Sequence, residues 1–465
     1  MTIWTPNLES SQGPAYLAIA DALAADIQSG HLPVGTRLPT HRDLADALGV
    51  TVGTVTRAYA EAQRRNLISG EVGRGTFVGA STRPETGFHR TAPLEPGLID
   101  LSLNRAIQGL TGGDLAEALR VLSAEPDIGA LLDYAPDPGA PAHRAVVAEW
   151  LASRGLPATP EQVVLTTGAQ NAITATISSL THPQDVVLTE SLTFPGLKSA
   201  ARLLHLRLEG LEFDAEGLLP DALEKALRTT GARVLYTIPT LQNPTASVMP
   251  AERRAAVVEL CRFYGATIVE DNVYGFLVAD APDALARLAP ERTYYLDGTS
   301  KLLGGGLRVG MVLAPPGPPL AQAAHRVATQ VRAASGIVTQ LTAELVSRWF
   351  ADGTAARLIL TQRGEAARRQ RLAREVLGSV PISAHPSAPM LWVPLPEPWR
   401  ADDLVYQARN RGVAVTPGSV FAVGRETPAN AVRVCLGSIS EERLTQGLTI
   451  LAELLHDPPH SSAMQ

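Results

Sequence analysis

Tyr294-Tyr295-Leu296-Asp297-Gly298-Thr299-Ser300-Lys301-Leu302-Leu303-Gly304-Gly305-Gly306-Leu307-Arg308-Val309-Gly310 is the stretch on which the reading of this chain turns. An apolar run that reads as a buried strand ends in small hydroxyl residues and presents one lysine. It then crosses three consecutive glycines and places an arginine seven residues after the lysine. That is the pattern of a lysine set into a phosphate-binding loop. Lysine is scarce: Lys198 and Lys225 are the only others in 465 residues, and arginine carries positive charge everywhere else. The difference is chemical, because a guanidinium stays protonated whereas a desolvated ammonium can lose its proton and attack an aldehyde.

Other short apolar runs lie on either side, at 163–167, 186–190, 233–238, 267–271 and 308–313, amid helical patterns. Runs without polar alternation predict a mostly parallel sheet buried on both faces. Ligands of such sheets sit at the carboxyl ends of the strands, and the informative residues fall there. Gly168-Ala169-Gln170 opens a helix whose first N–H groups suit an anion. Phe194 offers an aromatic face, Asn243 an amide, and Asp271 and Tyr274 a carboxylate and a phenol three residues apart. A carboxylate at the end of a buried strand is costly without a cation. Singly these are weak signals: Gly168-Ala169 is as readily a turn, Phe194 a core residue, and Arg433 near the end an ordinary strand arginine.

Collected, they fit one cofactor. Pyridoxal phosphate needs a lysine, a carboxylate for its ring nitrogen, donors to its ring oxygen, a stacking ring and a phosphate cradle with an arginine. The order of these parts resembles the fold-type I aminotransferases of class I and II across nearly all of residues 100–455. The resemblance implies an α/β body with a mostly parallel sheet and a smaller C-terminal α/β subdomain. It assigns Lys301 to the Schiff base, Asp271 to the pyridinium, Asn243 and Tyr274 to the ring oxygen, and Phe194 to stacking. Ala169, Gln170, Ser300 and Arg308 fall to the phosphate. Tyr134 matches a tyrosine that reaches the phosphate of a neighbouring subunit, which implies a homodimer, and Arg433 matches an arginine that grips a substrate carboxylate. Two positions depart from the pattern: Ala246 stands where a glycine is frequent, and Gly298 where many relatives place a phosphate-binding Ser or Thr.

The first 80 residues read differently. Apolar residues at helical spacing predict a helix from Pro14 to Ser29, a short one from Thr40 to Leu48 and a third from Val52 to Arg64, a helix-turn-helix pattern. In the third, Val55, Ala58, Tyr59 and Ala62 form the inward stripe. Two brief strands follow around Gly73-Arg74-Gly75, and an arginine at such a tip suits a minor groove. Leu38-Pro39-Thr40-His41-Arg42-Asp43-Leu44, Leu48-Gly49-Val50-Thr51, Thr54-Val55-Thr56-Arg57-Ala58-Tyr59 and Gly73-Arg74-Gly75-Thr76 resemble the winged helix-turn-helix of GntR-type regulators. The resemblance implies DNA contacts by Arg42, Thr51, Thr54, Thr56, Arg57 and Arg74. With six arginines against seven acidic residues the module is not basic overall, so modest affinity per head and a need for dimerisation are expected.

Composition sets the bounds. A net charge of -6, with 45% hydrophobic and 18% charged residues, is that of a soluble globular protein. Cys261 and Cys435 are the only cysteines, too few for a disulfide framework or a zinc set. No metal, membrane span or leader is expected, and a cytoplasmic location follows. The expected organisation is a DNA-binding unit at 1–79, a Pro- and Gly-rich tether at 80–99, the body at 100–458 and a polar tail at 459–465. Together the halves resemble the MocR subfamily. That implies a regulator of double-stranded operator DNA that senses an amino acid or other small amine through aldimine exchange at Lys301. The alternative is a catalytically active amino-acid aminotransferase carrying a DNA-binding domain. A third reading has the supply of cofactor itself as the signal.

Overall fold

The computed structural model describes residues 4–6, 14–28, 32, 36–64, 67–71, 75–78, 97–107, 109–317, 321–424, 429–437 and 439–457. The chain divides into two compact units, Met1–His89 and Arg90–Gln465. Most of the expected tether and the whole polar tail lie outside the described residues. Among the described residues no helix is long and apolar enough to cross a membrane.

In the first unit, helices Ala15–Gln28, His41–Leu48 and Val52–Arg64 precede an antiparallel hairpin of Ile68–Glu71 and Gly75–Val78. Thr40 caps the second helix by accepting from the Asp43 N–H, and Gly49 closes it at φ 63°, a conformation that glycine adopts at little cost. Val55, Ala58, Tyr59 and Ala62 are buried against Ile19, Leu23 and Leu44. Burying that stripe leaves the opposite face of the Val52–Arg64 helix to solvent.

The second unit is built on a seven-stranded sheet. Its spatial order is Val163–Thr166, Gly310–Leu313, Thr293–Gly298, Thr267–Asp271, Val234–Thr237, Val186–Glu190 and Arg207–Leu211. Gly310–Leu313 runs antiparallel to both neighbours and the other pairings are parallel. Alternate residues enter opposite cores: Val164, Tyr236, Val269 and Leu296 join one, while Leu165, Leu235, Ile268 and Tyr295 go to the other side. Burial on both faces is why these strands read as unbroken apolar runs. The run expected from Arg308 becomes a strand only at Gly310, because Arg308 sits at φ 53°, outside the extended region.

The smaller subdomain pairs Met390–Pro394 with Ala431–Cys435, which in turn pairs with Thr416–Pro417. Helices Ala401–Asn410 and Glu441–His456 contribute Leu404, Leu444 and Leu448 to its core. It also takes in the start of the body. Ile99, placed at the end of the tether by the sequence, pairs in parallel with Val413, and Ile99 and Leu101 are buried in the same core. Gly447 admits this segment closely, since a Cβ there would lie 2.9 Å from Ile99 Cγ2.

Candidate functional site

Lys301 follows the strand Thr293–Gly298, and its Nζ donates to the Asn104 carbonyl at 2.5 Å. The amine lies 5.7 Å from the centroid of the Tyr274 ring. Burial lowers its pKa to about 8, and the Arg433 charge acts in the same direction while Cys435 and Asp271 oppose it. A good part of the amine is therefore neutral near pH 8, the form that attacks a carbonyl.

Asp271 ends its strand at 2% exposure. Its Oδ2 accepts from Tyr236 Oη at 2.6 Å and its Oδ1 from the Val273 N–H at 3.3 Å. Burial raises its pKa to about 6 despite those donors. Among the described residues it makes no ion pair. Tyr274 is also buried, which pushes its phenol upward. Deeper in the sheet, Glu190 accepts from Thr237 Oγ1 at 2.6 Å, and burial raises its pKa too.

Arg433 comes from the smaller subdomain, on the strand Ala431–Cys435, at 2% exposure. Its Nη1 donates to Asn243 Oδ1 at 2.8 Å and its Nη2 to the Ser102 carbonyl at 2.7 Å. The guanidinium lies 4.8 Å from the Phe421 ring centroid. Among the described residues, Arg433 Nε and Asn104 Oδ1 are buried without a hydrogen-bond partner, a costly state that a ligand would relieve.

The anion cradle is assembled from three segments. Gly168, at φ 100°, precedes the helix Ala169–Leu180, whose first N–H groups have no intrahelical acceptor. Arg308 Nη2 donates to the Thr167 carbonyl at 2.9 Å. A Cβ on Gly168 would lie 2.7 Å from Arg308 Nη2, and one on Gly310 only 2.5 Å from the Gly168 carbonyl carbon. Both glycines are needed for this approach. Gly298 is explained likewise: a Cβ there would meet Ala169 Cβ at 3.1 Å, tight for a larger hydroxyl residue. Thr299 Oγ1 is committed to the Val309 carbonyl at 3.0 Å, whereas the half-buried Ser300 makes no hydrogen bond among the described residues. Gln170 Nε2 donates to the Gly196 carbonyl at 2.9 Å, beside Phe194 at the start of the helix Pro195–Leu203. Ala246 sits at φ 61°, which accounts for the glycine frequent at that position.

The structure thus gathers the half-buried Lys301 with the buried Asp271, Tyr274, Asn243 and Arg433 and joins Arg308 to the Gly168 turn. Tyr134 stays outside, 91% exposed. Sequence reasoning missed Tyr236, Asn104 and Ser102. Tyr236 carried a signal, since a phenol inside an otherwise aliphatic buried strand requires a partner.

In the first unit, Arg42, Thr51, Thr56 and Arg57 are exposed and Thr54 is half-buried. Thr51 Oγ1 accepts from the Thr54 N–H at 3.2 Å and lies 2.9 Å from Thr54 Oγ1, so it starts the helix as a cap. Thr56 Oγ1 donates to the Val52 carbonyl at 2.9 Å. Arg74 lies outside the described residues.

A fold-type I aminotransferase body preceded by a GntR-type helix-turn-helix head defines the class of this protein. Residues 98–451 match the family described as aminotransferase class I and II, and residues 15–78 match the bacterial regulatory proteins of the gntR family. The chain belongs to the class I and II aminotransferase family through its body and to the gntR family through its head: it is a transcriptional regulator with an aminotransferase-like domain, on the MocR plan. It is 30% identical to the uncharacterized HTH-type transcriptional regulator YdeF of Bacillus subtilis (strain 168), covering 98% of this chain and 97% of that one. The 2-aminoadipate transaminase of Thermus thermophilus is 30% identical over 73% of this chain and 84% of its own. The α-aminoadipate aminotransferase of the same species, solved with N-(5'-phosphopyridoxyl)-L-leucine, superposes with a TM-score of 0.69 at 27% identity. That match covers 78% of this chain and 92% of that one.

Proposed function

We propose that this regulator holds pyridoxal phosphate on Lys301 and answers to an amino compound that bears a carboxylate. One observation carries the reading: a half-buried amine with its pKa lowered to about 8 shares a cluster with a carboxylate and an arginine Nε that, among the described residues, have no ion pair and no hydrogen-bond partner respectively. The residues fit the cofactor. When bound, it supplies an aldehyde with which primary amines condense and exchange.

Asp271, dehydrated and held by Tyr236, would keep the ring nitrogen protonated, with Asn243 and Tyr274 at the ring oxygen and Phe194 against the ring face. Ala169, Gln170, Ser300 and Arg308 would hold the phosphate, and a second copy of the chain would add its own Tyr134 in a homodimer. Arg433 would take the effector carboxylate through paired N–H donors. Its present partners, Asn243 Oδ1 and the Ser102 carbonyl, each take one N–H of the terminal nitrogens, so the Nε–H and the remaining N–H groups are left for the carboxylate beside them. Carboxylate binding would through Arg433 reach Asn243 and the segment 99–102, which ties the body to its smaller subdomain.

We take 1–79 as the operator-binding unit, 80–99 as the tether and 100–458 as the effector body, acting in the cytoplasm. An effector shifts the body only as far as its affinities for two conformations differ. The test is operator binding by the full chain with pyridoxal phosphate, with and without candidate amino acids. An affinity that follows one amino acid supports the sensor, and indifference to all of them contradicts it. A second reading is favoured by the same depressed amine, since a released Lys301 could act as a base, and by the likeness to the Thermus transaminase. Steady turnover with an amino acid and 2-oxoglutarate would support that enzyme; a single slow half-reaction would not.

A further inference from the structure

A second cavity, of about 540 Å³, opens in the body among side chains that take no part in the Lys301 cluster. Arg154, Arg254, Arg287 and Arg363 line it, with Trp150 and Asn272. Four guanidinium groups on one cavity demand an account of their counter-charges.

Arg154 Nη1 pairs with Asp297 Oδ2 at 3.0 Å. Arg287 donates to the Gly155 carbonyl at 3.1 Å and meets Asp283, on the cavity wall, at 3.4 Å. Arg254, 1% exposed, spends its nitrogens on the carbonyls of Met249, Asp283 and Pro239 and on Thr240 Oγ1, and has no ion-pair partner among the described residues. Arg363 donates Nε to the Phe276 carbonyl at 2.7 Å, and its two terminal nitrogens make no hydrogen bond among the described residues. Burial and then the Arg154 charge push the Arg363 guanidinium downward, with only the exposed Asp280 acting against them. Arg154 and Arg287 are each met by a carboxylate and the Glu270 and Asp283 charges act on Arg254, so the uncommitted end of the half-buried Arg363 is the position at which an added anion gains most.

The geometry is that of a receptor. Arg363 offers a free fork, and planar guanidinium forks match the oxygens of carboxylates and phosphates. Arg154 is itself held by Asp297 and lies 5.6 Å from the Trp150 ring centroid. Asn272 is clamped as well: its Nδ2 donates to Tyr295 Oη at 2.7 Å, and a Cβ on Gly275 would strike it at 2.1 Å. Because Asn272 stands between Asp271 and Tyr274 in the chain, whatever occupies this cavity bears on the segment that carries both.

We propose that this cavity is a second ligand site, for a small oxyanion of two or more charges, separate from the Lys301 site. It stands independently of the cofactor reading, since no residue given to the cofactor lines it.

The test is calorimetric titration of the full chain, incubated with pyridoxal phosphate, at an ionic strength fixed with sodium chloride. Inorganic phosphate and succinate are the two probes. Saturable binding of at least one is expected, weakened at least about tenfold in Arg363→Ala and in Arg287→Ala and kept in Arg228→Ala, an exposed arginine on the helix Pro220–Thr230. Preference for phosphate points to phosphate esters, and preference for succinate to dicarboxylic acids. Absence of saturable binding of either probe overturns the proposal. So does binding untouched by both cavity substitutions, or binding weakened equally in Arg228→Ala. Should Arg363→Ala fail to fold by circular dichroism, Arg287→Ala and Arg363→Gln decide.

Discussion

Tyr236 Oη donates to Asp271 Oδ2 at 2.6 Å, with both side chains buried. The phenol is the strongest donor supporting the charged carboxylate, whose pKa burial has already raised to about 6. Tyr236→Phe removes it and drives that pKa higher. A lost hydrogen bond to a buried charge costs about 1–3 kcal/mol, so pyridoxal phosphate should bind roughly tenfold or more weakly. An absorption titration measures this; unchanged affinity would show that Asp271 does not hold the ring nitrogen.

Lys301 sets a pH dependence. Only its neutral amine attacks an aldehyde, and its pKa is lowered from 10.5 to about 8. The attachment rate should climb about tenfold per pH unit below that midpoint and level off above it. Stopped-flow absorbance gives the profile, and a midpoint near 10 would mean an exposed, ordinary lysine. Stability of the cofactor-free body carries the matching sign. The folded state penalises the protonated amine, so this residue's cost to folding is full below about pH 8 and fades as pH rises toward 10.5.

Arg433 bears on effector choice. Arg433→Ala removes a buried guanidinium whose charge acts on Lys301 and takes away the Arg433 donor to Asn243. Response to amino acids should weaken by roughly a hundredfold, as expected for losing a paired charge-assisted contact. Response to amines without a carboxylate should change little. Equal losses for both classes, read from effector titrations of operator binding, would place the carboxylate elsewhere.

The strand-end chemistry was legible because each group is a chemically distinctive residue in a monotonous apolar setting. Lys301 is one of three lysines, and Asp271 closes an aliphatic run. What stayed hidden depends on chain crossings. Asn104, whose carbonyl accepts from Lys301, lies 197 residues away, and Ser102 meets Arg433 across 331. Neither belongs to a periodic pattern. The entry of Ile99 into the smaller subdomain was hidden for the same reason, since its partner strand is Val413–Ala414. Gly298 could not be explained from sequence, because the atom it avoids is on Ala169.

For the head, Arg42 and Arg57 are exposed on the second and third helices. If each meets a phosphate, Arg42→Ala and Arg57→Ala should each flatten the slope of log affinity against log salt by about 1. Visible absorption should be untouched. A slope unchanged in both variants would remove these arginines from the DNA interface.

A covalent bond at one particular amine can be read out directly. The full chain is incubated with pyridoxal phosphate, reduced with borohydride and digested, and the peptides are weighed. A chain with lysines only at 198, 225 and 301 makes the result unambiguous. One pyridoxyl group on Lys301 and none in Lys301→Ala is the expected result; label on Lys198 or Lys225, or an unmodified Lys301 after full incubation, would overturn the assignment of the cofactor to Lys301.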